Sequence, residues 1–80
     1  MITPERKMVT CLDSRGLYGN RFISIYDLKS EFDELSQEEF EECIITIFRK
    51  EVVIVRIEFG IMRISLVPSK KAVIDRIIRG

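Results

Sequence analysis

Histidine is absent from this sequence of 80 residues, and cysteine occurs only twice, at Cys11 and Cys43. A structural zinc site needs about four soft ligands, so two thiols without imidazole exclude one within a single chain. The same lack removes Ser-His and Cys-His nucleophile pairs and leaves general-base work to carboxylates. Gly16 and Gly19 share a loop, yet no Lys-Ser or Lys-Thr follows to build a phosphate-binding loop. So short a chain also has no room for a deep substrate pocket. The expectation is a protein that is not an enzyme and carries no cofactor.

Long apolar runs are missing too. The longest, residues 52–55 and 43–45, fall far short of a membrane span. The opening Met1-Ile2-Thr3-Pro4-Glu5 has no apolar stretch behind a basic start, so no signal peptide is read there. The expected location is the cytoplasm, where thiols usually stay reduced; a Cys11–Cys43 disulfide is the alternative. Amides are nearly absent, with only Gln37 and Asn20, against thirteen isoleucines and many Glu, Lys and Arg. This is a thermophile-like, archaeal-like composition, and such cells do keep some intracellular disulfides.

Apolar residues make up 46% of the chain, enough for one packed core and hence for a single domain over residues 1–80. Charged residues reach 32% and cancel to zero, but they are not evenly spread. Residues 1–26 carry Arg6, Lys7, Arg15 and Arg21 against Glu5 and Asp13, a net +2. Residues 27–42 set Lys29 against Asp27, Glu31, Asp33, Glu34, Glu38, Glu39, Glu41 and Glu42, a net −7. Residues 43–80 hold eight bases against Glu51, Glu58 and Asp75, a net +5. The chain is polarised rather than uniformly basic.

Thr3-Pro4-Glu5 reads as a helix start, with Met8, Val9, Cys11 and Leu12 as the buried face and Gly16 as the stop. Phe22-Ile23 is short enough to add one strand to a later sheet. Ser24-Ile25-Tyr26-Asp27 approximates a capping box, after which Ile25, Leu28, Phe32 and Leu35 recur at helical spacing. Ser36-Gln37-Glu38-Glu39 is a full capping box, followed by the stripe Phe40, Cys43, Ile44, Ile47 and Phe48. The few residues around Asp33-Glu34-Leu35 make a tight corner between the two helices, a helix-turn-helix.

From Val52 the period changes to two. Val53, Val55, Ile57 and Phe59 share one strand face, Met62, Ile64 and Leu66 the next, and Gly60 lies between them. Matching apolar to apolar sets 57 against 62, 55 against 64 and 53 against 66. Pro68-Ser69 ends the hairpin, and Ser69 is expected to cap a last helix bearing Val73, Ile74, Ile77 and Ile78. The expected class is mainly α with a small antiparallel β-hairpin (α+β).

The order helix, short strand, helix, helix, strand, strand, helix resembles the winged helix-turn-helix superfamily over nearly the whole chain. Residues 35–48 look like its recognition helix and residues 52–67 like its wing. The resemblance implies binding of double-stranded DNA, with the third helix in the major groove and the wing along the backbone, in a transcription regulator. A minority of that superfamily binds proteins through the same surfaces.

The residues pull both ways. In the register above Arg56 faces Arg63 away from the core, and opposed like charges invite a phosphate between them. Arg49 and Lys50 close the third helix near the base of the wing. The DNA-binding candidates are therefore Arg49, Lys50, Arg56 and Arg63; the alternative is that Glu58, Glu51 or a partner's carboxylate neutralises the arginines. The third helix presents Glu38, Glu39, Glu41 and Glu42 where base contacts belong, which opposes a polyanion and suits a basic protein partner. Early glutamates also stabilise a helix through its dipole. Ile45 and the stripe Val73, Ile74, Ile77 and Ile78 exceed what a small core needs, and the resemblance implies dimerising through terminal helices, so a homodimer is expected through that stripe. Packing of that stripe on the first helix is the alternative.

Overall fold

The computed structural model describes residues 2–80. Its elements are α1 (Pro4–Ser14), β1 (Ile23–Ser24), α2 (Ile25–Ser30), α3 (Gln37–Arg49), β2 (Val53–Glu58), β3 (Ile61–Leu66) and α4 (Lys71–Arg79). This is an α+β fold in which four helices accompany a three-stranded antiparallel sheet of order β1-β3-β2 among the described residues. The element order is compatible with a winged helix.

Helix ends follow the local chemistry. Thr3 Oγ1 accepts from the Arg6 N–H at 3.2 Å, and Pro4 opens α1 where no backbone donor is required. At the other end Gly16 takes a φ of 67°. Its N–H donates to the Asp13 carbonyl and the Leu17 N–H to the Leu12 carbonyl, both at 3.0 Å. That pair of bonds is a Schellman closure, which the left-handed glycine makes possible. At α3 the box closes in both directions: Glu39 N–H donates to Ser36 Oγ at 3.1 Å, and Ser36 N–H to Glu39 Oε1 at 2.9 Å. At α2 Ser24 Oγ accepts from the Asp27 N–H at 3.1 Å.

Three boundaries differ from the sequence reading. Residues 31–34 leave the α-helix: the Phe32 N–H bonds Lys29 O at 2.9 Å and the Leu35 N–H bonds Phe32 O at 3.1 Å, so α2 stops at Ser30. Phe32 still reaches the core from this tight corner. Ser69 does not cap α4; Pro68–Lys70 forms a 3₁₀ turn and Lys70 precedes the helix without a side-chain cap. Phe59 is not on a strand face. It is the first residue of the two-residue turn, with φ of 52° beside Gly60 at 76°, as a type I′ hairpin requires.

The hairpin register is the expected one: Ile57 pairs with Met62, Arg56 with Arg63, Val55 with Ile64 and Val53 with Leu66. β1 joins the free side of β3 through Ile23 opposite Ile64 and Ser24 opposite Arg63. Met8, Val9 and Leu12 from α1 meet Leu28, Phe40, Ile47, Ile64, Leu66 and Ile74 in one core.

The stripe assigned to a dimer lies differently. Ile74 is wholly buried within the chain, and Val73, Ile77 and Ile78 are half-buried against the same core. Arg6 on α1 fixes the arrangement, its Nε donating to the Ile78 carbonyl at 2.6 Å and Nη2 to Arg79 O at 3.1 Å. A guanidinium there satisfies carbonyls that a helix end leaves free and meets the negative end of its dipole. The stripe thus packs on α1, the alternative weighed above, and Ile74 is no part of any outer face. Phe48, placed in the core by its spacing, is exposed, as is Ile57 at the far end of the hairpin. Both thiols are free, Cys43 buried and Cys11 half-buried; burial pushes the Cys43 thiol up. None of the described helices is long and apolar enough to cross a membrane.

Candidate interaction surfaces

Alternation along β2 and β3 sends Val55 and Ile64 inward and Arg56 and Arg63 to the opposite sheet face. Arg56 lies over the Phe22 ring at 4.7 Å, and its Nη1 stands 3.9 Å from Glu58 Oε1. Arg63 is half-buried, and its Nε is shut off from solvent with no hydrogen-bond partner among the described residues. This face is not simply a solvated one. The loop after α1 covers its base: Leu17 O accepts from the Leu66 N–H at 2.7 Å and from Ser65 Oγ, itself fully buried, at 3.2 Å.

The other two basic candidates stand apart from this pair. Arg49 and Lys50 are exposed at the carboxyl end of α3. Lys50 lines a shallow hollow of about 350 Å³ with Arg6 and Arg76, between α1 and α4. Arg56 lies part-way along β2 and is matched with Arg63, not with Lys50.

α3 carries its acids outward. Glu38, Glu39, Glu41 and Glu42 are all exposed. Glu39 is held by its cap, and the bonds from the Ser36 backbone and hydroxyl keep its carboxyl below the ordinary value. Glu41 accepts from Gln37 Nε2 at 3.0 Å. Glu34 pairs with Lys7 and Glu31 with Arg15. Glu38, Glu41, Glu42, Asp27 and Asp33 take part in no ion pair among the described residues.

Beside those acids lies a groove that the sequence reading did not foresee. α2, α3 and the hairpin enclose about 420 Å³ lined by Ile25, Tyr26, Phe40, Ile44, Ile45 and Met62, with Gln37 and Glu41 at its edge. Ile45 in its lining is 49% exposed, and the same helix and hairpin also expose Phe48 (55%), Ile57 (66%) and Phe59 (99%). Ile57 and Met62 keep their expected face, but the hairpin runs past the helices that would cover it. One signal in the sequence could have exposed Phe59. Gly60 as second residue of a two-residue turn puts its predecessor in the turn, not the strand.

No family model matches this chain, and no characterised protein or solved structure matches it either.

Proposed function

We propose that the chain is a winged-helix domain acting as a protein-interaction module, with its partner seated where α3 meets the wing. The apolar groove between α3 and the hairpin carries this reading. Exposed apolar patches with a polar border mark protein contact sites, because their burial is what drives association. In the usual DNA pose of a winged helix the same face of α3 enters the major groove. Here that face offers Glu38, Glu41, Glu42, Ile45 and Phe48. Carboxylates facing a polyanion oppose the counterion release that drives such binding, and Ile45 and Phe48 donate no hydrogen bond to a base edge.

Selection of a random peptide library on the immobilised protein tests the reading. Enriched peptides are expected to shift the backbone amide NMR signals of Tyr26, Ile45 and Met62. Enrichment of none, or shifts confined to other faces, would refute it.

A second reading, a regulator that grips duplex DNA by its wing, is favoured by one observation. Two guanidiniums oppose each other across β2 and β3, and Arg63 Nε has no partner among the described residues. A phosphate between them would relieve the opposed charges. Fluorescence anisotropy of a labelled duplex decides it: binding that weakens with salt and with Arg56→Ala/Arg63→Ala supports wing-led contact. An unchanged signal at low salt sinks it.

A further inference from the structure

We infer that the occupant of the groove is a basic amphipathic helix of another protein, with its apolar face in the groove and its Lys or Arg side chains over the acids of α3; this rests on the interaction-module reading above. Shape and charge lead to the same occupant. The exposed side of α3 reads Glu38, Glu41, Ile45, Phe48, at steps of three, four and three, so it is a straight stripe along the helix. That stripe is about 15 Å long at the helical rise, roughly three turns of a partner helix. Its first half is acidic and its second half apolar. The groove opens alongside, with Ile44, Ile45 and Met62 as its floor and wall. A helix offering anchors at i, i+3 or i+4 and i+7 matches such a trough.

The acids select the sign of the partner. Among the described residues Glu38 and Glu42 meet no cation, and Glu41 meets only the Gln37 amide. Residues 27–42 hold a net −7 against a chain that is neutral as a whole. A basic segment is therefore steered to this face and correctly oriented by it, its charged end over Glu38, Glu41 and Glu42. A second copy of this chain is a poorer fit. A two-fold contact through the groove would join two linings that each hold Glu41 and no lysine or arginine.

Phe59 supports a docked partner independently. A bulky aromatic residue in the left-handed region, fully exposed, satisfies nothing inside the domain. Asparagine or glycine is the residue that such a turn favours. Phe59 stands at the tip of the hairpin next to Gly60, which lines the groove, so its exposed ring is available to a partner seated there.

The test uses three labelled synthetic peptides and the full chain. One has leucines at helical spacing with flanking lysines, one is the same composition scrambled, and one keeps the leucines but carries glutamates. The lysine helix is expected to bind at least about tenfold tighter than either control, and to weaken with salt. Glu38→Lys/Glu41→Lys/Glu42→Lys should transfer the preference to the glutamate peptide. Ile45→Asp/Met62→Asp should weaken both by about tenfold or more. All five positions are exposed, and far-ultraviolet circular dichroism checks that each variant keeps its fold.

Equal binding of the scrambled peptide would overturn the helix, and equal binding of the glutamate peptide would overturn the basic partner. In both cases the interaction-module reading survives if the NMR shifts still fall on Ile45 and Met62. Failure of every peptide to reach those residues removes the helix inference, and the library selection then decides the interaction-module reading separately. A concentration-dependent dimer in sedimentation, abolished by Ile45→Asp/Met62→Asp, would replace the proposed partner with a second copy.

Discussion

Phe59 occupies a turn position whose backbone favours asparagine. Holding a bulky aromatic residue rather than asparagine or glycine at a φ of 52° costs of order 1 kcal/mol, and the exposed ring recovers none of it within the domain. Phe59→Asn should therefore raise the unfolding free energy by about 1 kcal/mol in a denaturant titration while weakening peptide binding at the groove. A variant that loses stability would show that the ring packs within the domain after all. Asp13 makes a second prediction at this scale. Its carboxylate accepts from Tyr18 Oη at 2.6 Å and from Lys71 Nζ at 3.0 Å, and these bonds hold its pKa below the ordinary 3.8. A lowered folded-state value gives stability that is present above 3.8 and lost as pH falls through the lower value. Asp13→Asn is expected to cost about 1 kcal/mol at neutral pH, discounted for exposure, and to flatten the acid limb of the stability curve. The Tyr18 hydroxyl is raised by burial and by Asp13, so its contribution holds below 10 and fades as pH rises through the higher value. None of this network was legible in the sequence: the turn after α1 folds Tyr18 back onto Asp13, and the packing of α4 on α1 brings Lys71 to them.

At the level of elements, what could be read was what local bonds decide. Ser36 and Glu39 stand three residues apart and close their box as expected, so the start of α3 was legible from two residues. Ser36→Ala should lower stability by about 1 kcal/mol, measurable as a shift in the denaturant midpoint at unchanged slope. The end of α2 was not legible. Leu28, Phe32 and Leu35 keep a helical spacing, yet a corner of i→i−3 bonds presents Phe32 to the core just as well. Period alone does not separate the two. The hairpin register was legible for the opposite reason. A one-residue slip would turn Val53, Val55 and Ile57 to the wrong face, so alternation together with the turn at Gly60 allows one answer. Alternation then ran one residue too far, carrying Phe59 into a strand that the turn had already ended.

At the scale of the whole molecule, the sequence reading found the right faces and misjudged how far the cover extends. Ile57 and Met62 point to the core side of the sheet, but the hairpin overhangs α2 and α3, and an alternating pattern says nothing about overhang. In the stripe of α4, Ile74 was misplaced in the other direction. The stripe's four apolar residues looked surplus to a small core, while the fold places Ile74 at the centre of it. Ile74→Ala should accordingly cost about 2–5 kcal/mol, with a thermal midpoint independent of protein concentration. A midpoint that rises with concentration would return the stripe to an interface between copies. With α4 turned inward, the principal uncovered apolar surface is that between α3 and the hairpin. The arginine pair lies across the sheet from it. The molecule thus keeps two chemically opposite faces, one acidic and apolar, one basic.

Those two faces make the central claim testable in a single comparison. Affinity of a library-selected peptide would be measured for the unaltered chain, for Ile45→Asp/Met62→Asp and for Arg56→Ala/Arg63→Ala. The first pair of substitutions is predicted to abolish binding and the second to leave it within about twofold. Binding lost with the arginines and kept with the groove substitutions would contradict the account and move the working surface to the outer face of the sheet.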